Sequence, residues 1–446
     1  MTPKIVIIAD DLTGAADCAA ACGPGAVVLL DKPEDRMPDA AVVAVDANTR
    51  SLAPEQAAQI TAHLVTDLAR RDGAAVRDQM PVLLFKKVDS TLRGNVGPEL
   101  AAALQSRRSH APPAERVVAL FAPASPAHGR TTVGGRQRVH GQLLEEVDIW
   151  PDESGRPRSA IVEILHQSGL SCATLELPTV RAGALSLENV MARLADKADV
   201  LVCDAETDAD LDAIAKAAMV LHPKTVWCGS AGLARQIPRA AGFAPLADHA
   251  LGFASAPASV SGPTLFVVGS PANVSIEQAR ALAAAPDIIT ITIPRALVLS
   301  TQPSPAVQEY TQQISASLKQ GTDVLVQLAG SEPCAAEDAP RLTSSLARLI
   351  VPCADHSGAL VATGGETARA ILDAWGIQRL RLLGEVEPGL PWSVTEGWHR
   401  AVIVLTKAGG FGGPGTLLHC RDFLRNLERD TVIPTPLRIP TAGQKS

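Results

Sequence analysis

The segment Lys86–Asn95, which reads KKVDSTLRGN, is denser in chemically capable side chains than any other part of the chain. Seven of its ten residues carry a charged or hydrogen-bonding side chain, and it directly follows an apolar run. Lys87 and Arg93 offer cations for a carboxylate, while Asp89 and Ser90 offer partners for hydroxyl groups. We interpret the segment as a recognition loop for a small polyhydroxy acid; the alternative is an ordinary solvated loop.

A pair of adjacent carboxylates, Asp10 and Asp11, ends the first apolar run, IVIIA. A helix that starts here would keep both carboxylates ionised, as acceptors of sugar hydroxyls or as metal ligands. The structural alternative is that Asp11 or Thr13 only caps the helix. Arg50, which ends the stretch VVAVDANTR, is a further cation at the end of a predicted strand.

Three predicted strands in the C-terminal part end in glycine-rich loops, at Gly269–Ser270, Gly364–Thr367 and Gly409–Gly413. Three such loops in one domain favour close approach of backbone N–H groups to a bulky anion such as a phosphate. The structural alternative is that the glycines serve only tight turns. A further loop, His128–Gly135, adds Arg130 and a glycine pair, and by itself it is typical of a surface hairpin.

Short, β-branched apolar runs alternate along the chain with Ala- and Leu-rich stretches of helical pattern. Examples of these runs are IVIIA, VVALFA, VLVCDA, TLFVV and AVIVL. Continuous apolar runs of this kind are typical of parallel strands buried on both faces. The sequence therefore predicts an α/β protein whose functional sites lie at the carboxyl ends of the strands.

A change of composition divides the chain. The stretch DHALGFASAPASVSGP, at 248–263, is rich in small residues and has the composition of a linker. We predict two domains, each with a mainly parallel sheet flanked by helices. Their predicted bounds are 1–247 and 263–435, with a linker at 248–262 and a tail at 436–446.

Composition excludes several classes of function. The 446 residues contain 40 Lys and Arg against 47 Asp and Glu, and only 7 Phe, 5 Trp and 1 Tyr, which argues against nucleic-acid binding. No run approaches the roughly 20 apolar residues that cross a bilayer, and Ile5–Ala9 is too short for a signal-peptide core. The eight cysteines are scattered without a C-x-x-C pair, which is typical of free thiols in a reducing cytoplasm.

Common catalytic motifs are missing or incomplete. The sequence has no P-loop and no H-E-x-x-H zinc motif. Asp208, Asp210 and Asp212 imitate the start of a calcium loop without its glycine, and Ser230 lacks the first glycine of a nucleophile elbow. A G-x-G-x-x-G at Gly410–Gly415 leaves a nicotinamide-dependent oxidoreductase open, although only about 30 residues follow it, too few for the second strand of that fold.

Five of these segments occur in the order that is typical of one family. The segments ADDLTGAAD, KKVDSTLRGNVGPEL, HGRTTVGG, GGETA and KAGGFGG make the chain resemble the four-carbon acid sugar kinases over nearly its whole length. The resemblance implies an N-terminal domain that binds a sugar acid, a C-terminal domain that binds ATP, and a homodimer. It implies transfer of the γ-phosphoryl group to the terminal hydroxyl of a tetronate.

The resemblance also implies roles for individual residues. The sugar acid would contact Asp11, Arg50 and the segment Lys87, Val88, Asp89 and Ser90, to which our own interpretation of the loops adds Asp10 and Arg93. The nucleotide would contact Ser270, Gly364, Gly365, Glu366, Thr367 and Gly409 or Gly410. The family's usual Gly-Ser-Cys-Ser is Gly269–Ala272, GSPA, in this chain, so Ser261 is a fallback for the Ser270 contact.

We therefore predict an ATP- and Mg²⁺-dependent kinase, with D-threonate preferred on the form of the KKVDSTLRG loop. D-Erythronate and 3-oxo-tetronate are alternative substrates, although the latter branch usually has a CSTFDST-like loop. Asp89 or Asp11 would orient or deprotonate the attacking hydroxyl, and the two domains would close about the linker. A nucleotide-gated sensor of sugar acids, without chemistry, is the alternative from another class.

Overall fold

The computed structural model describes residues 5–31, 37–75, 82–112, 115–147, 158–222, 225–243, 262–300, 304–329 and 338–430. In these residues the chain folds into two α/β domains around a large, mostly parallel sheet, which confirms the predicted fold class. Apart from Gly262, the predicted linker and tail lie outside the described residues.

The N-terminal domain builds its strands from the apolar runs seen in the sequence. Where a strand is covered on both faces, every residue along it is buried, as in the first strand, IVIIA. The strands are β1 (Ile5–Ala9), β2 (Val27–Leu29), β3 (Val42–Asp46), β4 (Leu83–Lys87), β5 (Val118–Ala122), β6 (Arg130–Val133), β7 (Arg136–Val139), β8 (Gln142–Leu143), β9 (Cys172–Leu175), β10 (Val200–Cys203) and β11 (Thr225–Gly229).

Helices connect most of these strands and cover both faces of the sheet. They are α1 (Leu12–Cys22), α2 (Pro54–Ala75), α3 (Val96–His110), α4 (Ile161–His166), α5 (Leu177–Val180), α6 (Ala184–Ala195), α7 (Asp208–Ala218) and α8 (Ala231–Ala240). β6, β7 and β8 form a separate antiparallel sheet. The loop His128–Gly135 thus includes a hairpin, as the sequence indicated.

The C-terminal domain has the same alternation with one antiparallel addition. Its strands are β12 (Thr264–Val268), β13 (Ile288–Pro294), β14 (Asp323–Ala329), β15 (Ala359–Thr363), β16 (Arg379–Glu387), β17 (Leu390–Thr395) and β18 (Ile403–Lys407). Its helices are α9 (Asn273–Ala283), α10 (Arg295–Leu299), α11 (Pro305–Lys319), α12 (Ala339–Leu349), α13 (Gly365–Ala374) and α14 (Thr416–Asp430).

The two domains share one 15-stranded sheet, a continuity that the sequence did not indicate. Its order is β13, β14, β12, β15, β18, β17, β16, β2, β3, β1, β4, β11, β5, β10 and β9. The join is an antiparallel pairing in which Arg379–Arg381 lie opposite Val27–Leu29. The two antiparallel pairings of β17 make β16 parallel to β18. Because β16 pairs antiparallel with β2, the parallel strands of the two domains run in opposite directions along the sheet.

Twist compensates for this reversal. Six strand-to-strand steps separate β1 from β15, and at about 20–25° for each step the twist accumulates to roughly 120–150°. Two register shifts in β16, at Leu382/Gly384 and Glu385/Glu387, add local twist. The carboxyl ends of β15 and β1 meet, since Gly365, shortly after β15, lies beside Asp11, shortly after β1.

One apolar layer spans both domains. It includes Leu12 of α1, Trp227 of β11, Leu360 of β15 and Ile371 of α13, all within one contiguous cluster of buried side chains. The opposite face of the sheet has a separate core in each domain. Among the described helices, none has the length and apolar character needed to cross a bilayer.

Candidate active site

Two carboxylates and two cations form an ion cluster where β1, β3 and β4 end. Arg50 Nε lies 2.8 Å from Asp10 Oδ2, and Arg50 Nη1 lies 2.7 Å from Asp11 Oδ2. Lys87 Nζ lies 3.7 Å from Asp10 Oδ1 and 3.9 Å from Asp11 Oδ1. Since β1 pairs with β3 on one side and β4 on the other, strand order alone brings the three predicted loops together.

Local hydrogen bonds hold the two carboxylates in place. Asp11 Oδ1 accepts a hydrogen bond of 2.9 Å from the Gly14 N–H and so caps α1, while Thr13 Oγ1 donates to Asp11 Oδ2 at 2.6 Å. Burial alone would raise the pKa of Asp10, but Arg50 and Lys87 outweigh it and lower that pKa to about 2. Asp10 is therefore an anion at neutral pH, and Asp11 serves as both helix cap and cluster member.

The loop after β4 is built around Asp89. Arg93 Nε lies 2.7 Å from Asp89 Oδ2, Arg93 Nη2 lies 3.0 Å from Asp89 Oδ1, and Thr91 Oγ1 also donates to this carboxylate. Burial would raise the pKa of Asp89, but Arg93 and Arg50 hold it well below its usual value. A group with such a low pKa is a carboxylate that accepts hydrogen bonds rather than a strong proton acceptor.

Two other residues of this loop are buried. The Ser90 carbonyl accepts a hydrogen bond of 2.7 Å from Gln137 Nε2, and Ser90 as a whole residue is 8% exposed. The Val88 side chain packs in the core, and its N–H donates to the Gly229 carbonyl at 2.9 Å. A ligand contact at Val88 would therefore involve backbone atoms.

A buried ion pair that was not predicted from the sequence lies next to this cluster, at the end of β4. Lys86 Nζ lies 3.1 Å from Glu99 Oε2 and donates to the Lys87 carbonyl at 2.9 Å. Thr49 Oγ1 donates to the other oxygen of Glu99. Glu99 thus ties the end of β4 to the residue beside Arg50. The only signal in the sequence was a lysine inside an apolar strand.

The nucleotide residues predicted from the glycine loops also lie together. Ser270, Gly364 and Gly409 follow β12, β15 and β18, which are neighbours in the sheet. The Ser270 side chain packs against Gly409, and Thr367 packs against Gly269. Glu366 and Gly410 are solvent-exposed. Ser261, the fallback for Ser270, lies outside the described residues.

The carbonyl groups of the loop Ala408–Gly413, which we call the glycine loop, are turned toward the protein. Lys407 Nζ donates to the carbonyls of Ala408 (2.8 Å), Gly409 (3.3 Å) and Phe411 (3.0 Å). Two further donors hold the same carbonyl face: Ser275 Oγ contacts Gly409 O at 2.8 Å, and Gln278 Nε2 contacts Phe411 O and Gly413 O at 3.0 and 2.9 Å. Two of the loop's N–H groups are also bonded, since Phe411 N donates to Ala408 O and Gly413 N to Thr416 Oγ1, both at 3.1 Å. The N–H groups of Gly409, Gly410 and Gly412 are the ones that a phosphate could use.

The two sets of loops meet at the start of α13. Gly364 precedes this helix with φ of 93°, and no side chain caps the helix N-terminus. A Cβ atom on Gly365 would lie only 2.8 Å from Asp11 Oδ2 and 3.0 Å from Thr13 Oγ1. The glycine thus allows the first turn of α13, with its free N–H groups, to lie against the ion cluster.

A buried salt bridge also crosses the domain boundary beside this point. Arg369 of α13 donates from Nη1 to Asp46 Oδ2 at 2.9 Å, and its Nε lies 2.8 Å from Asp373 Oδ2. Burial raises the pKa of Asp46 to about 7, although Arg369 opposes the shift. The sequence analysis missed this pair because its two members are 323 residues apart.

Asp17 is another carboxyl group near the cluster that the sequence analysis did not single out. It lies on α1, one turn after Gly14, and its Oδ1 atom is buried with no hydrogen-bond partner in the described part of the chain. Burial raises the pKa of Asp17 to about 7, although nearby Lys87 lowers it. The pKa of Asp17 thus lies close to neutral pH.

Several sequence candidates have structural roles instead. Asp208 and Asp210 lie in the first turn of α7, where Thr207 provides the helix cap. Ser230 caps α8 and donates to the Ala124 carbonyl at 2.7 Å. In the described ranges, no group of three or more His, Cys, Asp or Glu side chains is arranged to hold a metal ion.

The fold is that of a two-domain α/β protein in which the strand-end loops of the two domains meet at the start of α13. A family model described as a sugar-binding N-terminal domain matches residues 5–237, and one described as a nucleotide-binding C-terminal domain matches residues 265–417. Together with the relatives below, these matches show that the chain belongs to the four-carbon acid sugar kinase family.

Three curated relatives are similar over nearly their whole length. A D-threonate kinase from Cupriavidus necator is 40% identical, covering 93% of this chain and 96% of the relative. A D-threonate kinase from Bordetella bronchiseptica is 32% identical over 95% and 98%. A 3-oxo-tetronate kinase from Cupriavidus necator is 29% identical over 92% and 95%.

A solved structure supports the fold. A Salmonella typhimurium protein described as a putative tRNA synthase superposes with a TM-score of 0.73, covering 94% of this chain and 98% of that one. At 20% identity this likeness establishes the shared architecture alone.

Proposed function

We propose that the protein is an ATP-dependent kinase that phosphorylates the terminal C4 hydroxyl of a four-carbon sugar acid, with D-threonate as its preferred substrate. The preference is supported by the 40% identity to a D-threonate kinase, against 29% to a 3-oxo-tetronate kinase from the same organism. D-Threonate and D-erythronate differ at one carbon, so the position of a single hydroxyl decides between them.

The observation that carries this proposal is the contact between α13 and the ion cluster. A helix N-terminus with free N–H groups is a favourable place for phosphate, because backbone donors and the helix dipole both attract negative charge. The first turn of α13 lies against Asp11 through Gly365. A γ-phosphoryl group on this turn would therefore lie next to a hydroxyl held by Asp11.

The sugar acid would bind to the loops after β1, β3 and β4. The carboxylates of Asp10, Asp11 and Asp89 would accept hydrogen bonds from its hydroxyl groups. Arg50 and Lys87 would hold the substrate carboxylate, since both side chains lie at this point and are largely buried, with 19% and 6% of their side-chain surface exposed. Charge-assisted hydrogen bonds of this kind are about twice as strong as neutral ones.

ATP would lie across the ends of β12, β15 and β18. Its phosphates would accept hydrogen bonds from Ser270, from Thr367 and the backbone N–H groups in the first turn of α13, and from backbone N–H groups of the glycine loop. Mg²⁺ fits this site as a cation carried by ATP, because the described residues form no acidic cage and Mg²⁺ often binds substrate phosphates with few protein ligands. When bound, Mg²⁺ would neutralise phosphate charge.

Asp11 would orient the attacking hydroxyl and accept its proton as the bond to phosphorus forms. Phosphoryl transfer passes through a loose transition state, so alignment and charge neutralisation contribute more than a strong base. Asp89 is held by Arg93 and Thr91 away from this role. We assign it to recognition of the substrate hydroxyls.

The direct test is an assay of ADP release by the purified protein with ATP and Mg²⁺, using D-threonate, D-erythronate and 3-oxo-tetronate in turn. We expect ADP in proportion to D-threonate consumed, with a lower kcat/KM for the other two acids. Phosphorus NMR of the product should show a phosphomonoester at C4. If none of the acids stimulates ADP release, the proposal is wrong.

Two other outcomes would replace it. Calorimetric binding of a tetronate that depends on ATP, without ADP release, would instead support the nucleotide-gated sensor. Reduction of NAD in the presence of a tetronate would support the oxidoreductase. We expect neither.

We further propose a homodimer in the cytoplasm. The dimer rests on the family resemblance, and light scattering of the full chain should give twice the chain mass of 46.4 kDa. The cytoplasmic location is supported by the seven cysteines in the described residues, all of them free thiols and six of them buried.

A further inference from the structure

One segment of the sugar-binding domain reaches the nucleotide-binding domain directly. The His128 ring stacks on the Phe411 ring, with centroids 4.3 Å apart and an angle of 21° between the planes. His128 Nε2 also lies 3.3 Å from the Pro388 carbonyl. Phe411 belongs to the glycine loop, so this segment lies where the two halves of the site meet.

Arg130 lies beside this contact and differs from the other cations of the site. Its guanidinium carbon is 5.5 Å from the centre of the Phe411 ring, and its Nη1 donates to the His128 carbonyl. Its Nε is buried and has no hydrogen-bond partner in the described residues. The guanidinium therefore retains donors that the surrounding protein does not use.

The other cations near Arg130 are already paired with acceptors of the protein. Arg50, Lys87 and Arg93 each have a carboxylate within ion-pair distance, and these three cations face three anions, Asp10, Asp11 and Asp89. Lys407 is occupied by the carbonyls of its own loop. The hairpin that carries Arg130 contacts the loop after β4, because Gln137 Nε2 on its second strand donates to the Ser90 carbonyl at 2.7 Å.

The backbone fixes the position of Arg130. It starts β6, and its N–H and carbonyl both pair with Ser125, at 3.1 and 2.9 Å. Two residues further on, Thr132 pairs in the same way with Ala205, at 2.9 and 3.0 Å. A cation mounted on such a rigid hairpin loses little entropy when an anion binds.

We propose that Arg130 is a catalytic residue whose guanidinium contacts the γ-phosphoryl group during its transfer. This inference rests on the proposed kinase function. In the reaction, the C4 oxygen forms a bond to the γ-phosphorus while the bond from that phosphorus to the bridging oxygen breaks and its electron pair stays on ADP. The proton of the C4 hydroxyl goes to Asp11. Arg130 donates hydrogen bonds to the non-bridging oxygens and transfers no proton.

The test compares Arg130→Met with Arg136→Met, an exposed arginine on the other strand of the same hairpin. We expect Arg130→Met to lower kcat by at least 10²-fold, since arginines in this role contribute about 10³–10⁵-fold, and to change KM for D-threonate less than fivefold. Arg136→Met should have wild-type kcat. Added guanidinium ion should partly restore the kcat of Arg130→Ala, a response that a purely structural role would not give.

The outcomes separate this inference from the function on which it rests. If the wild-type protein releases no ADP with any tetronate, the kinase proposal fails. If the wild type is active, the Arg130 inference fails should kcat of Arg130→Met stay within threefold, or should the loss fall on KM for the sugar acid. Arg130→Lys is the second variant: it keeps the charge without the planar fork and should have intermediate kcat. Wild-type kcat in Arg130→Lys together with no guanidinium rescue would also overturn it.

Discussion

At the residue scale, the Asp11 carboxylate has two functions that are normally separate. Oδ1 caps α1 through the Gly14 N–H and also accepts from Arg50 Nη2, while Oδ2 accepts from Arg50 Nη1 and Thr13 Oγ1 beside Gly365. An asparagine caps a helix about as well as an aspartate. Substitution with asparagine therefore removes the charge while it keeps the cap.

We expect Asp11→Asn to lower kcat about 10²-fold, the scale of a lost general base, with a melting temperature within a few degrees of wild type. Asp89→Asn is the matched variant in the neighbouring loop, and we expect it to raise KM for the sugar acid more than it lowers kcat. Steady-state kinetics and thermal unfolding measure both. If Asp89→Asn loses turnover and Asp11→Asn does not, the roles are reversed.

Asp17 makes stability depend on pH. Because burial raises its pKa from 3.8 to about 7, the folded protein holds a proton that the unfolded chain releases at lower pH. The contribution of Asp17 to stability therefore falls as the pH rises from about 4 to about 7. We expect Asp17→Asn to have a higher melting temperature than wild type at pH 8 and an unchanged one at pH 4.

The control for Asp17 is Asp196→Asn, a change at an exposed carboxylate at the end of α6. Its difference in melting temperature from wild type should stay constant between pH 6 and pH 8. An Asp17→Asn variant that is no more stable than wild type at pH 8 would show that Asp17 is ionised at little cost.

The residues of the candidate site that could be predicted from the sequence are those in polar loops directly after apolar runs. Asp10, Asp11, Arg50 and Asp89 lie in the loops after β1, β3 and β4, and Lys87 is the last residue of β4. Parallel strands bring their carboxyl ends to one edge. The partners of buried charges were not predicted. Glu99 reads as an ordinary first-turn acid of a helix, and nothing in the sequence pairs it with Lys86.

At the element scale, the glycine loop is shaped by donors behind it. Lys407 supplies hydrogen bonds to three of its carbonyls, and burial lowers the pKa of this lysine to about 8. Without the ammonium group the carbonyls of Ala408, Gly409 and Phe411 would each lose one donor and keep only the Phe411 N–H, Ser275 Oγ and Gln278 Nε2 respectively, and each lost hydrogen bond costs about 0.5–1.5 kcal/mol. The loop would then rearrange toward solvent.

We therefore expect Lys407→Met to raise KM for ATP at least tenfold and to leave KM for the sugar acid within twofold. Lys319→Met, at the exposed end of α11, is the matched control and should have no effect. Steady-state kinetics with either substrate varied makes the measurement. Equal changes in both KM values would mean that Lys407 supports the whole domain rather than the loop.

The strands and helices of each domain were easier to predict from the sequence than the antiparallel strands that join the two domains. Apolar runs and helix starts predicted the alternating strands and helices, including α13 after GGET. The antiparallel strands β16 and β17 were not predicted, although RLRLLGEVE alternates polar and apolar residues at Arg379–Leu382. Such alternation is typical of a half-buried strand and differs from the continuous apolar runs of the parallel strands.

At the scale of the whole molecule, the Arg369–Asp46 bridge ties α13 to the end of β3. Loss of one member of a buried ion pair typically costs about 3–5 kcal/mol, since the other charge stays buried. We expect Arg369→Met to destabilise the protein on this scale at pH 8 in denaturant unfolding. The cost should be smaller at pH 6, because Asp46, whose pKa is already about 7, can take up a proton.

The double variant Arg369→Met, Asp46→Asn provides the check. It should recover most of the lost stability at pH 8, since no unpaired buried charge remains; the other carboxylates that Arg369 contacts, Asp31 and Asp373, are exposed. If the double variant is as unstable as Arg369→Met, the loss comes from packing of the arginine side chain. Domain closure about residues 248–262 stays a prediction. The β2–β16 pairing joins the two domains, so closure has to bend the shared sheet or break this pairing.

That pairing also sets the order of events during synthesis. β16 begins 350 residues after β2 ends, and ribosomes add about 5–20 residues per second. The N-terminal half therefore emerges and collapses with one backbone edge uncovered for roughly 20–70 s before its partner strand is made. Through that interval the nascent chain is exposed to aggregation, so yield in an overproducing cell should depend on translation speed and chaperone supply as well as on the stability of the finished enzyme.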